Sequence, residues 1–230
     1  LQLGEKLKQN LGEEHDLYVI NLTFIAKTYS AQDEFNKLKE IIKKAIKIGE
    51  KIYVGENKKL VNLYKILVLG LLDDSKKQYN NFSYNKSLEL IFEAEKNTKN
   101  LLGKNHPLYL QCLVKKANCF GKLGDNSKSL KINLEVLEII SKTANTGDTT
   151  YYTVLNNMAV DHNQLGNYNK ALELYLKVLV FSQRKFGKSH YKTGYVLYNM
   201  SILQSELGNY NKSLELNLEA LNIFENTLGK

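Results

Sequence analysis

The chain has 230 residues, with 32 Lys+Arg against 24 Asp+Glu, a formal charge of +8, two cysteines and one proline. That length suits one large domain or one repeat array. Arg184 is the only arginine, so the positive charge is almost all lysine, which argues against the forked arginine contacts of specific nucleic-acid recognition. No apolar run reaches the length of a membrane-spanning helix, and no charged, apolar and small-residue leader opens the chain. Cys112 and Cys119 lack the paired spacing of a zinc site. Two reduced cysteines on a helix face fit a cytosolic protein.

In chain order, Leu1, Leu3 and Leu7 lead to Leu11-Gly12 and read as the tail of a preceding second helix. Apolar residues at steps of three and four then predict a first helix from about 15 to 31, with Leu22, Ile25, Ala26 and Tyr29 inward. A second helix follows from about 33 to 53, with Phe35, Leu38, Ile42 and Ala45 on its packing face. After the weak linker Val54-Gly55-Glu56-Asn57-Lys58, a helix from about 58 to 73 carries Ile66, Leu69 and Gly70. The stretch 73–82 has no turn glycine and is expected to be a surface loop about five residues longer than the other turns, since lengthening a loop costs little. A contact edge is the alternative, because binding residues concentrate on loops. Helix resumes at Tyr84 with Ser87, Ile91 and Ala94. Pro107 opens the next helix, where proline is tolerated. Helices are expected at about 107–123 and 126–143, and helix pairs at about 149–186 and 190–228. In the linker Thr146-Gly147-Asp148-Thr149-Thr150, Asp148 or Thr149 is the expected helix cap. Both ends cut this frame, so the chain is expected to be a piece of a longer protein or a long array with disordered flanks.

Leu165-Gly166-Asn167-Tyr168-Asn169-Lys170-Ala171-Leu172-Glu173-Leu174 recurs as Leu207-Gly208-Asn209-Tyr210-Asn211-Lys212-Ser213-Leu214-Glu215-Leu216, with a weaker copy from Leu123 to Ile132. The glycines at 124, 166 and 208 give a period of 42 twice, and a fixed period of that size signals a repeat array. Each glycine follows one helical pattern and precedes another, where a left-handed residue ends the first helix. A single such hairpin cannot bury its apolar stripe, so neighbours must stack. In repeat four the pattern residues are Leu155, Met158, Ala159, His162, Gly166, Tyr168, Ala171, Tyr175 and Val178. In repeat five they are Leu197, Met200, Ser201, Gln204, Gly208, Tyr210, Ser213, Asn217 and Ala220.

This pattern resembles the tetratricopeptide repeat, whose usual length is 34 residues. The surplus lies in a longer second helix and in a linker seen as Leu11-Gly12-Glu13-Glu14-His15, Leu102-Gly103-Lys104-Asn105-His106-Pro107 and Phe186-Gly187-Lys188-Ser189-His190. With the Leu-Asn-Asn-Met-Ala first helix, this longer repeat resembles the kinesin light chain subtype over essentially the whole chain. The resemblance implies an all-α fold, a right-handed superhelical solenoid of antiparallel helix hairpins. Residues 1–230 would form one array, with 1–11 as the tail of a preceding helix and repeats at about 12–54, 55–102, 103–146, 147–186 and 187–230.

None of the phosphate-loop, dinucleotide, zinc-protease or nucleophile-elbow patterns occurs, so the chain is read as no enzyme, with no cofactor and no metal. His15, His106 and His190 share one linker place, which marks them as ties between linker and helix; His162 takes a core place. Binding remains, and the resemblance implies a concave groove lined by first helices that takes an extended peptide. Helical spacing places Gln111, Val114, Lys115, Asn118 and Lys122 there in repeat three, and Asn156, Asn157, Val160, Asn163 and Gln164 in repeat four. Repeat five contributes Tyr198, Asn199, Ile202 and Ser205.

Asn157 and Asn199 fall on the family's frequent first-helix asparagine. An amide both donates and accepts, so the resemblance implies pairing with a peptide backbone; bonding to a neighbouring helix is the alternative. Lys115, Lys116 and Lys122 add a positive potential suited to an acidic segment. Lys115-Lys116 align with Asn156-Asn157 and Tyr198-Asn199, yet the strict frame puts Lys116 on a buried Leu place. There it must snorkel, pair with an acid or mark a frame shift. The expected function is a cytoplasmic protein-binding adaptor or scaffold, in a cytoskeletal or ciliary setting, with a protein or extended peptide as partner and neither nucleic acid nor membrane. The alternatives are a regulatory array of a larger signalling enzyme and an architectural assembly module without peptide binding. A co-chaperone clamp for a terminal carboxylate is weakened, because Arg184 lies late in a second helix.

Overall fold

The computed structural model describes residues 2–55, 57–142 and 149–228. The described residues form eleven helices and no strand: α1 (Gln2–Leu11), α2 (Asp16–Ala31), α3 (Phe35–Ile52), α4 (Asn57–Asn80), α5 (Tyr84–Leu102), α6 (Pro107–Lys122), α7 (Asn126–Lys142), α8 (Thr149–Gln164), α9 (Tyr168–Lys185), α10 (Tyr191–Glu206) and α11 (Tyr210–Leu228). They divide into two compact units, Leu1–Cys119 and Phe120–Lys230. In the first unit α1 packs on α2, α2 on α3, α3 on α4 and α4 on α5. In the second, α7 packs on α8, α8 on α9, α9 on α10 and α10 on α11. This is the all-α stack of helix hairpins that the repeats predict.

One backbone device ends the first helix of every hairpin. Gly124, Gly166 and Gly208 take φ of +82°, +74° and +78°. The Gly166 N–H donates to Asn163 O at 2.9 Å and the Asn167 N–H to His162 O at 2.8 Å, a Schellman motif that satisfies two orphan carbonyls. The Gly208 N–H to Ser205 O and Asn209 N–H to Gln204 O bonds repeat it, as do Gly124 N–H to Gly121 O and Asp125 N–H to Phe120 O. The first unit makes the same turn without glycine. Asp33 at φ +57° and Phe82 at φ +59° stand in the left-handed place, with the Glu34 N–H bonded to Tyr29 O and the Ser83 N–H to Gln78 O.

Phe82 lies 42 residues before Gly124, so the period runs one repeat further than the Leu-Gly copies reveal. This corrects the expected loop at 73–82. α4 runs on to Asn80 and has 24 residues, against 16 in α2, α6, α8 and α10. No glycine or proline interrupts 71–80, and continuing the helix buries Leu71, Leu72 and Ser75. The surplus therefore sits at the start of α4. Counted from the turn, Leu71 rather than Ile66 is the partner of Leu155. Gly70 serves packing: a Cβ there would lie 2.6 Å from the Leu38 side chain. The same count shifts the expected pairing of Lys115-Lys116 by one. Lys115 matches Asn157 and Asn199, each nine residues before its turn residue, and Lys116 matches Met158 and Met200.

Linker histidines act as caps. Nδ1 of His15, His106 and His190 accepts from the backbone N–H of Leu17, Leu108 and Lys192, at 3.1 Å each. An acceptor Nδ1 requires the neutral ring, and burial, then Lys65, lowers the pKa of His106 in that direction. The cap expected at Asp148 lies outside the described residues, with the rest of 143–148, and Thr149 is already the first residue of α8. Helix pairs meet at small residues: Ser87 Oγ donates to Ser75 O at 2.9 Å and Ser213 Oγ to Ser201 O at 2.8 Å. Around such crossings the second unit packs Leu155, Ala159, Tyr175, Val178, Leu197 and Met200.

Two stacking positions carry charge where a later repeat is apolar. Lys116 Nζ reaches Glu95 at 2.6 Å, with side chains only 12 % and 18 % exposed, and it lies 5.6 Å from the Phe92 ring centre. The equivalent places hold Met158 with Leu137, and Met200 with Leu179. Of the three options for Lys116, pairing with an acid is the one adopted. Asp161, at the place of Leu203, is buried and accepts from Ser129 Oγ at 2.8 Å and Asn133 Nδ2 at 3.1 Å. Its donors are neutral, and burial pushes its pKa up to about 6 against those bonds.

Three outcomes are expected. A left-handed residue with a Cβ costs roughly 1–2 kcal/mol, partly offset by glycine's entropy in the unfolded chain. Phe82→Gly should therefore raise unfolding free energy by about 0.5–1 kcal/mol in urea titrations. Lys116→Met alone should destabilise by about 3 kcal/mol, because it strands a buried carboxylate. Lys116→Met with Glu95→Leu should return to within about 1 kcal/mol of the parent; equal losses in both would refute the pairing. Asp161 has a folded pKa above its unfolded value, so its stabilising contribution is full below about pH 4 and is lost as pH rises through about 6. Asp161→Asn should thus gain on the order of 1 kcal/mol at pH 7 after allowing for solvent screening. That advantage should fade by pH 4, as read from melting temperature against pH.

Candidate functional site

First helices present their chemistry by register from the left-handed turn. The place nine residues before it holds Phe24, Asp73, Lys115, Asn157 and Asn199. Six residues before it stand Lys27, Lys76, Asn118, Val160 and Ile202. Residues three apart share a helix face, so each first helix shows a short stripe whose chemistry changes from repeat to repeat.

In the first unit, Lys115 and Asn118 come together at a cavity of about 230 Å³ between α4, α5 and α6. Lys76, Tyr79 and Asn80 enter from α4, and Ser75, Ser87, Ile91 and Cys119 complete the lining. Burial lowers the pKa of Lys115; the Lys76 ammonium adds to this and Asp73 opposes it. Burial pushes the Tyr79 hydroxyl up to about 12, so it remains a proton donor at neutral pH. The cysteines are buried and unreactive by the same cause: Cys112 is pushed up to about 11 and Cys119 is also raised. Among the described residues no cluster of three or more His, Cys, Asp or Glu side chains could hold a metal ion.

A second opening in this unit, about 300 Å³, lies between α2 and the early turns of α4. Val19, Ile20, Phe24 and Tyr53 give it an apolar wall, and Lys27 and Lys59 line it too. Phe24 is 70 % exposed. The lining derived from sequence omitted this cleft. The signal was present in the i, i+3, i+7 spacing of Leu17, Ile20 and Phe24, but the expected lining covered repeats three to five alone.

In the second unit, α8 and α10 bring Asn156 and Asn199 together. Asn199 Nδ2 donates to Asn156 Oδ1 at 3.3 Å, so the neighbouring-helix alternative describes this pair. Each amide has four hydrogen-bonding positions, and one bond leaves capacity for a ligand. Asn157 is half-buried on the same helix, one residue on from Asn156. Tyr198 is exposed, and with Tyr195 and Ile202 it makes an open apolar edge along α10. Lys122 is exposed at the end of α6. Asn163 is corrected: it is 4 % exposed and its Oδ1 is buried without a partner. Six residues beyond Asn157, at 3.6 residues per turn, it points well away from the open face. His162 is buried as a core residue, its pKa lowered by burial and then by Lys170. No helix among the described residues is long and apolar enough to cross a membrane.

Residues 150–226 match the family model of the tetratricopeptide repeat. The crystal structure of nearly identical tetratricopeptide-like repeats from a kinesin light chain candidate of Podospora anserina superposes with a TM-score of 0.59 at 15 % identity. That match covers 92 % of this chain and 97 % of that one. BtubC (BKLC) from P. vanneervenii gives 0.60 at 17 %, over 84 % and 74 %. A Rap protein complexed with Competence and Sporulation Factor gives 0.59 at 14 %, over 97 % of this chain and 59 % of that one. No curated protein matches the sequence. At such identities the likeness to these structures shows the fold alone, an all-α array of helix hairpins.

Proposed function

We propose that this chain is a protein-binding array that takes an extended, acidic peptide segment along its first helices, as an adaptor or scaffold rather than a catalyst. The observation that carries the reading is the place nine residues before the turn in repeats three, four and five: Lys115, Asn157 and Asn199 are side-chain donors on one register. The amides pair with a peptide backbone, which offers donors and acceptors at a regular rise. The ammonium groups of Lys115 and Lys122 attract carboxylates, and the Tyr195, Tyr198 and Ile202 edge supports an apolar anchor residue. Partner binding also agrees with the Rap protein of similar fold, which is seen complexed with Competence and Sporulation Factor. We place it in the cytoplasm, with cytoskeletal or ciliary assemblies as the setting that the light-chain resemblance suggests.

An architectural reading has its own support. Leu134, Leu176 and Leu218 recur 42 residues apart on second helices and are each about half exposed, a surface suited to a folded partner rather than a peptide.

The test is an anisotropy screen of the whole chain against acidic, aromatic-containing peptides at two salt concentrations. Affinity should fall with salt. Lys115→Glu should weaken binding by about tenfold or more, as expected for charge reversal at a recognition site, and Asn157→Ala should weaken it by several-fold. Unchanged affinity in Lys115→Glu removes the groove proposal. A folded chain that binds no peptide favours the second-helix surface.

A further inference from the structure

We propose that the cavity between α4, α5 and α6 receives a phosphoryl group carried on a side chain of the bound peptide. The inference rests on the peptide-binding reading and adds a requirement to it, namely a phosphorylated partner.

Lys76 on α4 and Lys115 on α6 line the cavity from facing helices, and the Lys76 ammonium disfavours the positive charge of Lys115. Among the described residues no carboxylate forms an ion pair with either one; Asp73 acts on Lys115 only through its field and does not line the cavity. Lys116 on the same helix is paired with Glu95, and Lys39 and Lys43 are paired with Glu93. A single carboxylate would leave one of the two facing ammoniums uncompensated. A phosphomonoester carries about −1.5 to −2 at neutral pH and compensates both.

The cavity of about 230 Å³ has room for a tetrahedral group on its side-chain stem. A tetrahedral phosphoryl group presents three terminal oxygens, and the walls offer matching neutral donors. The Tyr79 hydroxyl stays protonated, and the Asn80 amide stands with it on the α4 wall. The two serines are engaged elsewhere, since Ser75 Oγ donates to Leu72 O and Ser87 Oγ to Ser75 O. Lysine binds phosphate as a point charge without the geometric demand of an arginine fork, which suits two flexible stems closing from opposite helices.

The turn after α4 sets this cavity. α4 reaches the cavity with Lys76, Tyr79 and Asn80 because it continues to Asn80. Those three positions are Asn118, Gly121 and Lys122 one repeat later, and Val160, Asn163 and Gln164 two repeats later. The set of Lys, Tyr and Asn is therefore particular to this repeat and is not a by-product of the consensus.

The experiment uses the full chain and three matched peptide libraries, acidic throughout, with serine, phosphoserine or glutamate at the centre. Inorganic phosphate serves as competitor. Phosphoserine peptides should bind at least about tenfold tighter than serine peptides, and phosphate should erase that increment. Lys76→Ala, on an exposed stem, should bring the phosphoserine and serine libraries to the same affinity, with the circular dichroism spectrum and melting curve of the parent. Lys76→Arg should keep the preference. Equal binding of phosphoserine and glutamate peptides overturns this inference and leaves the acidic-groove reading standing. Failure of all three libraries on a folded chain overturns both.

Discussion

The left-handed residue between paired helices governs the rest of this structure. It ends the first helix through two backbone bonds and turns the chain into the second. Because it fixes where both helices begin and end, it also fixes which residues face the neighbouring hairpin and which face outward. Asp33 and Phe82 show that the constraint is on backbone conformation rather than on residue type. Glycine meets it without strain. Elsewhere the closed hydrogen bonds and the packed hairpin hold a side-chain-bearing residue in a conformation it disfavours.

A fixed frame allows chemistry to vary inside it. The place filled by Leu137 and Leu179 becomes Glu95, and the Met place becomes Lys116, without any change in helix spacing, because the two charges meet each other. The place of Leu203 becomes Asp161, supported by Ser129 and Asn133 from α7, and becomes Cys119 beside Ser87 in the repeat before. Buried polar groups are tolerated when both partners change together. The array thus differs from repeat to repeat in polarity, although one backbone unit recurs.

Outward positions vary more widely and acquire the function. The same register that gives Phe24 in the first repeat gives Lys115 in the third and asparagine in the fourth and fifth. In the first unit this produces one apolar cleft and one cationic cavity. In the second it produces bonded amides beside a tyrosine edge. Linker histidines are kept apart from this variation, because each is committed to capping the helix that follows.

By itself the sequence determined the helix-hairpin repeat, its period, the all-α class and the first-helix face, since period, turn glycines and apolar spacing are local properties of the chain. It also marked the linker histidines as structural, by repetition. It did not reveal the frame of repeat two. The turn there carries Phe82 instead of glycine, and only the folded backbone shows which residue is left-handed. Tertiary structure likewise decided the partner of Lys116, the burial of Asn163 and the bond between Asn156 and Asn199. Each depends on side chains from another helix, 21 residues away for Glu95 and 43 for the asparagine pair. Local periodicity carries no information about such a distant neighbour's chemistry, so packing alone settled those sites.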